Sequence, residues 1–111
     1  EYNGGIPGVL KYSIDMLKFP ESFERGPVCF TGVAAGIWSA LRPIEQLPAI
    51  FGYRHAFIYP ERVFLPQINS LLDENGRLTN AELLDRLRKQ ATGFVDFVEK
   101  LKQVNLRGTS H

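Results

Sequence analysis

Pro27-Val28-Cys29-Phe30-Thr31-Gly32-Val33 is a short apolar run bounded by turn residues. Such continuous hydrophobicity fits a strand covered on both faces, as in a parallel sheet, better than the alternation of a half-exposed one. The run passes into Gly32-Val33-Ala34-Ala35-Gly36, a loop of small residues where a backbone can approach a ligand closely. Read alone, that loop is equally well a tight strand-to-helix connection. It has neither the Lys-Ser/Thr of a phosphate-binding P-loop nor the spacing of a dinucleotide fingerprint.

Downstream, Ile37, Leu41, Ile44, Pro48 and Phe51 fall on one helical stripe, and Pro48 is expected to bend it. His55 to Tyr59 reads as a second strand, ended by Pro60. Residues Glu61 to Gly76 are the least regular part, with Asp73-Glu74-Asn75-Gly76 a turn signal. Thr79 and Glu82 are spaced as a capping box for a last helix. Its apolar stripe is Leu84, Leu87, Ala91, Phe94, Val98 and Leu101, and Asn105 to His111 reads as a frayed tail.

Upstream, Glu1 to Gly5 is a loop, because Asn3-Gly4-Gly5 tolerates positive φ. Pro7 suits the first turn of a helix whose stripe is Ile6, Leu10, Ile14 and Leu17, and Pro20 stops it. Glu21 to Gly26 is then a polar connection with one apolar anchor, Phe23.

The order helix, strand, helix, strand, irregular segment, helix predicts an α/β domain with a parallel sheet. Two strands and three helices leave one side of the first strand unpaired. The chain also opens on Glu1 and turn residues with no element before them. It is therefore expected to be the downstream portion, residues 1–111, of a single larger domain.

Composition narrows the function classes. A chain of 111 residues that is 44% hydrophobic and 23% charged suits one folded domain and excludes a disordered tail. No apolar run approaches the roughly 20 residues that span a bilayer, so no membrane partner is expected. A net charge of +1 gives no general reason to expect nucleic acid. The single cysteine excludes an internal disulfide, which favours the reducing cytoplasm. With two histidines besides, a structural zinc site has too few soft ligands, so no metal is expected.

Glu1-Tyr2-Asn3-Gly4-Gly5-Ile6-Pro7-Gly8-Val9-Leu10-Lys11, followed by Ile14-Asp15, resembles the flavin loop and helix of NAD(P)H-dependent FMN reductases. That family covers flavodoxin-like quinone, chromate and azo-dye reductases, with the pattern P-E-Y-N-x-x-x-P-x-x-L-K-x-x-I-D. Tyr2 to Gly5 alone would be an ordinary turn; Pro7, Leu10, Lys11, Ile14 and Asp15 turn the reading toward the flavin loop. Weaker matches are the strand Pro27 to Gly32, then Arg42, Gln46 and Leu47 on the following helix. Pro60-Glu61-Arg62-Val63-Phe64 and Asp73 to Leu78 complete the likeness, which covers nearly the whole chain.

The resemblance implies a flavodoxin-like, doubly wound parallel sheet, of which this chain carries the last two strands and three helices. It implies FMN as cofactor and NAD(P)H as co-substrate, with quinones, free flavin or similar small molecules as acceptors. Cofactor contacts would come from Glu1, Tyr2, Asn3, Gly4 and Gly5, faced across the site by Gly32, Val33 and Ala34. The phosphate loop after the family's first strand has no counterpart in these residues. Hydride passes directly between nicotinamide and flavin, so no catalytic side chain is expected. Arg42 would join a polar network between subunits of a homodimer or tetramer. Where family members often have two glycines before that arginine, Ala40-Leu41 stand here, which would crowd the helix start.

An electron-carrier flavodoxin is the competing class, and the near-neutral charge disfavours it because such carriers dock through strong acidity. A functionally inert truncated fragment is a third reading. Among single residues, Cys29 reads as a buried inert thiol, His55 as a surface or hydrogen-bonded histidine, and Trp38 as packing beneath its helix. The charges Asp85, Arg86, Arg88, Lys89, Glu99, Lys100 and Lys102 read as the solvent face of the last helix.

Overall fold

A computed structural model describes residues 1–18 and 21–108, the last four by their backbone alone. In chain order the elements are α1 (Gly8–Asp15), β1 (Pro27–Val28), β2 (Thr31–Val33), α2 (Leu41–Tyr53), β3 (Phe57–Ile58), β4 (Val63–Leu65), α3 (Ile68–Leu71) and α4 (Ala81–Gly108). The α/β class and the parallel pairing are as the sequence predicts. Pro20, expected to stop the first helix, lies outside the described residues.

The run Pro27–Val33 is two strands. Pro27 and Val28 pair in parallel with Phe57 and Ile58, whereas Thr31, Gly32 and Val33 pair with Val63, Phe64 and Leu65. Partners are 30 positions apart in the first pair and 32 in the second, so the register steps by two between them. The strand expected at 55–59 shrinks to β3, and its continuation β4 lies inside the stretch read as irregular. That stretch also holds α3, so the described residues contain four helices. Val63-Phe64-Leu65 escaped notice because Pro60 and Pro66 flank it and three residues show no period. Each sheet has two strands among the described residues.

The interruption in the sheet leaves backbone carbonyls that a ladder would otherwise satisfy, and burial requires a partner for them. Gln90 of α4 supplies it. Its Nε2 donates to the Phe30 carbonyl at 2.9 Å and to the Glu61 carbonyl at 3.2 Å, while its Oε1 accepts from Thr31 Oγ1 at 3.0 Å. Gln90 is buried and Ala91 is exposed, so the inner stripe of α4 passes through position 90 and not 91. Gly93 admits Tyr59 of the β3–β4 connection against the helix, where its ring meets Phe94 and Phe97.

Helix ends differ from the reading in three places. Asn80, not Thr79, caps α4: its Oδ1 accepts the Leu83 N–H at 3.1 Å and its carbonyl the Leu84 N–H. Glu82 pairs instead with Arg86 one turn on. The tail read as frayed from Asn105 is helical through Gly108, and residues 109–111 lie outside the described residues. α2 begins at Leu41, not Ile37, because the segment before it turns, with Ser39 and Ala40 at φ 58° and 62°. The helix runs through Pro48.

Phe23 is the anchor its position implied. It is buried edge-on against Phe51 with ring centres 4.8 Å apart, and the Arg54 guanidinium lies 4.8 Å from its ring centre. Phe30 meets the same Phe51 ring, which joins β1–β2 to α2. Ile14 alone of the expected α1 stripe is buried; Leu10 and Leu17 are exposed. The Cα radius of gyration is 16.1 Å, above the about 13 Å typical of a closed domain this long.

Candidate functional site

The opening loop is a tight turn. Tyr2 and Gly5 exchange both backbone hydrogen bonds, at 3.1 and 3.0 Å, and the two residues between them, Asn3 and Gly4, have φ of 51° and 71°. Two central residues at positive φ are the requirement of a type I′ turn, for which Asn-Gly is the favoured pair. The bonded pair uses the N–H groups of Tyr2 and Gly5. Those of Asn3 and Gly4 have no protein partner among the described residues.

α2 holds this turn in place. Gln46 Oε1 accepts the Ile6 N–H at 2.8 Å. Arg42, one turn earlier on the same helix face, lies against Gly4: a Cβ built there would sit 2.5 Å from Arg42 Nη1. Arg42 and Gln46, matched in the sequence as a family pattern, thus act on the loop of their own chain. Arg42 makes no ion pair among the described residues.

Between the turn and the start of α2 lies a cleft of about 460 Å³, lined by Glu1, Asn3, Gly4, Trp38, Leu41, Arg42 and Glu45. Trp38 does not pack beneath the helix, as its position first implied. It is 69% exposed at the cleft wall. The reason is the turn at Ser39-Ala40, which buries those two residues and leaves Ile37 and Trp38 outside. The positive φ values fall on Ser39 and Ala40, the two residues immediately before α2.

Of the residues read as cofactor contacts, Glu1, Asn3 and Gly4 line this cleft, while Tyr2 and Gly5 close the turn beside it. Gly32, Val33 and Ala34 do not line it. Gly32 is buried, and a Cβ there would fall on the Ser39 carbonyl oxygen and the Phe64 ring. Its lack of a side chain therefore serves packing. Ala34 donates to the Leu65 carbonyl and accepts from Ile68, and Val33 remains half exposed at the end of β2.

A second hollow of about 450 Å³ lies between the β3–β4 connection and α4. Of its three cations, Arg86 and Lys89 are paired with Glu82 and Asp85 at 2.9 and 3.0 Å, while Arg62 lies over the Phe64 ring, 5.8 Å from its centre, with Glu61 also in the lining. Burial pushes the Cys29 thiol upward, in keeping with an inert cysteine, and His55 is exposed. No described helix is long and apolar enough to cross a membrane.

Curated proteins named quinone reductase from Escherichia coli K12, Escherichia coli O157:H7 and Shigella flexneri are each 28% identical over 106 residues, or 92% of this chain. The aligned part is 56% of their length, so the chain spans about half of the curated relatives it matches. A family model described as NADPH-dependent FMN reductase matches residues 1–70, the segment that holds the turn, β1–β2 and all of α2. The chain belongs to the NADPH-dependent FMN reductase family, and its α/β architecture is flavodoxin-like.

Proposed function

We propose that the protein is an FMN-dependent NAD(P)H oxidoreductase of the cytoplasm that passes electrons to quinones, free flavin or similar small acceptors. The observation that carries this reading is the Asn3-Gly4 turn, with two unpartnered N–H groups at a cleft and α2 bracing it from behind through Arg42 and Gln46. Family membership and the quinone reductase relatives support it.

The donors present suit the carbonyl-bearing edge of a flat ring. FMN, when bound, supplies the exchange of hydride and electrons between nicotinamide and acceptor. In this reading Glu1 to Gly5 hold the ring, while Gly32, Val33 and Ala34 lie outside the cleft that the turn borders. Gln46 fixes the position of the Ile6 N–H and hence the pitch of the turn. No side chain needs to move a proton, so the chain's contribution is orientation. Assembly as a homodimer or tetramer belongs to the same reading.

The test is NADPH oxidation by the purified protein with menadione, with and without FMN, followed at the nicotinamide absorbance band. Turnover that needs FMN and exceeds the free-flavin background supports the reading; its absence overturns it. Sedimentation of the same sample distinguishes an oligomer from a monomer.

A further inference from the structure

We propose that Asn3-Gly4 is a self-modification site: with Arg42 assisting, the Gly4 nitrogen closes on the Asn3 side chain and converts it to aspartate and isoaspartate. The same dipeptide at Asn75-Gly76 is protected. The modification stands on the turn itself; only its effect on a bound ring rests on the oxidoreductase reading.

The sequence holds two Asn-Gly pairs, at 3–4 and 75–76. A glycine after the asparagine leaves the reacting nitrogen unobstructed by a side chain, so both pairs are chemically competent. The reaction also needs a glycine N–H able to give up its proton. Gly76 donates its N–H to the Asp73 carbonyl at 3.0 Å, and Asp73 Oδ1 holds the N–H groups of Asn75 and Arg77 on either side, both at 2.9 Å. In the opening turn the bonded groups belong to Tyr2 and Gly5, and the Gly4 N–H has no protein partner among the described residues. Asn3 is exposed and lines the cleft, so water reaches its amide.

Arg42 supplies a further condition. Its Nη1 is the first atom that a Cβ on Gly4 would meet, so a permanent cation stands beside the backbone that must carry negative charge during attack. Arg42 makes no ion pair among the described residues.

The conversion is a hydrolysis with no redox change. The Gly4 N–H yields its proton to water or hydroxide, and the nitrogen bonds to Asn3 Cγ. The Cγ–Nδ2 bond breaks, and Nδ2 leaves as ammonia after taking up a proton. Water then opens the cyclic imide. Attack at Cγ gives aspartate; attack at the main-chain carbonyl gives isoaspartate, whose backbone runs through an additional methylene. Either product replaces a neutral amide in the cleft lining with a carboxylate. Isoaspartate also lengthens the turn, so the Tyr2–Gly5 hydrogen bonds no longer close.

The full chain is aged in the dark in mildly alkaline buffer, with and without urea. Trypsin then places the two asparagines in separate peptides, ending at Lys11 and Arg77. Mass spectrometry after chromatography follows the amide-to-acid conversion and the aspartyl–isoaspartyl split in each. In buffer Asn3 is expected to convert about fivefold faster than Asn75, the factor that one net hydrogen bond on the Gly76 N–H is worth. In urea the two rates are expected to converge. Arg42→Gln is expected to slow Asn3 about threefold and Arg42→Lys to restore it, with Asn75 unchanged in both.

Equal rates in buffer, a difference that persists in urea, or an Arg42→Gln chain no slower than the parent overturns the proposal. A last arm adds FMN, which slows Asn3 and not Asn75 where the turn holds the ring. Rates in the expected order but insensitive to FMN sink the flavin placement alone. Rates that respond to FMN but stand in the wrong order sink this inference alone.

Discussion

The side-chain amide of Gln90 donates to the carbonyl of Phe30 across 60 positions of sequence, at the point where β1 gives way to β2. The same nitrogen reaches the Glu61 carbonyl in the β3–β4 connection, so one helical residue closes both sides of the break in the sheet. The Phe30 carbonyl has no water to fall back on, since Phe30 and Gln90 are only 5% and 6% exposed.

Gln90→Leu keeps the volume and removes the amide, and leaves the buried Phe30 carbonyl without a donor. Urea unfolding of this variant is expected to show a loss of about 2–3 kcal/mol. Ala91→Leu, one residue away on the exposed face, is expected to change stability by less than about 0.5 kcal/mol. Equal effects at the two positions would remove the role assigned to Gln90.

Gly32→Ala and Gly4→Ala separate packing from site geometry. At Gly32 the new methyl meets a backbone carbonyl and a buried ring, neither of which can step aside. The expected cost is about 3 kcal/mol or more, read as loss of the cooperative melt. At Gly4 the obstacle is the tip of the Arg42 side chain, which can move, and the penalty is mainly the φ of 71°. About 1–2 kcal/mol is expected there, with a change in ligand affinity at the cleft.

Gln67 sits at φ 48° immediately before α3, exposed, with only its backbone engaged: its N–H donates to the Gly36 carbonyl at 2.9 Å. Gln67→Gly releases left-handed strain and loses no side-chain contact. A gain of about 0.5–1 kcal/mol is expected in thermal or urea melts.

Cys29 links stability to alkaline pH. Burial raises its thiol above the ordinary range, so the folded chain holds that proton more tightly than the unfolded one. The contribution is whole below the unfolded value and declines as pH rises through the thiol range, roughly pH 8 to 10. Cys29→Ala is expected to flatten stability across that window. Iodoacetamide is expected to alkylate the native thiol several-fold more slowly than a small free thiol, which repeats of the assay in denaturant would reverse.

What could be read from the residues alone follows from how local the determinants are. Asn3-Gly4 and Asp73 to Gly76 declared themselves because their φ demands are met within four residues; at the second turn Asp73 Oδ1 accepts from Asn75 and Arg77, both at 2.9 Å. The parallel strand signal at Pro27 survived as two pieces, since the break at Cys29-Phe30 depends on Gln90, far along the chain. A glutamine within an apolar stripe, three after Leu87 and four before Phe94, was the available sign of a buried polar tie. The cleft was half legible. Its turn and Arg42 carried a motif, but Trp38 turned outward because of left-handed backbone at Ser39 and Ala40, which their identities do not announce.

The two-position step between the strand pairs sets how the chain tolerates changes in length. One residue added or removed at Cys29-Phe30 would slide Thr31 or Val33 into the slot beneath the Ser39 carbonyl, where only a residue without a side chain fits. The loop at Asp73–Gly76 has no such gauge. Surviving insertions and deletions should therefore cluster at that exposed reversal and be missing from the strand break, an asymmetry imposed by a single glycine.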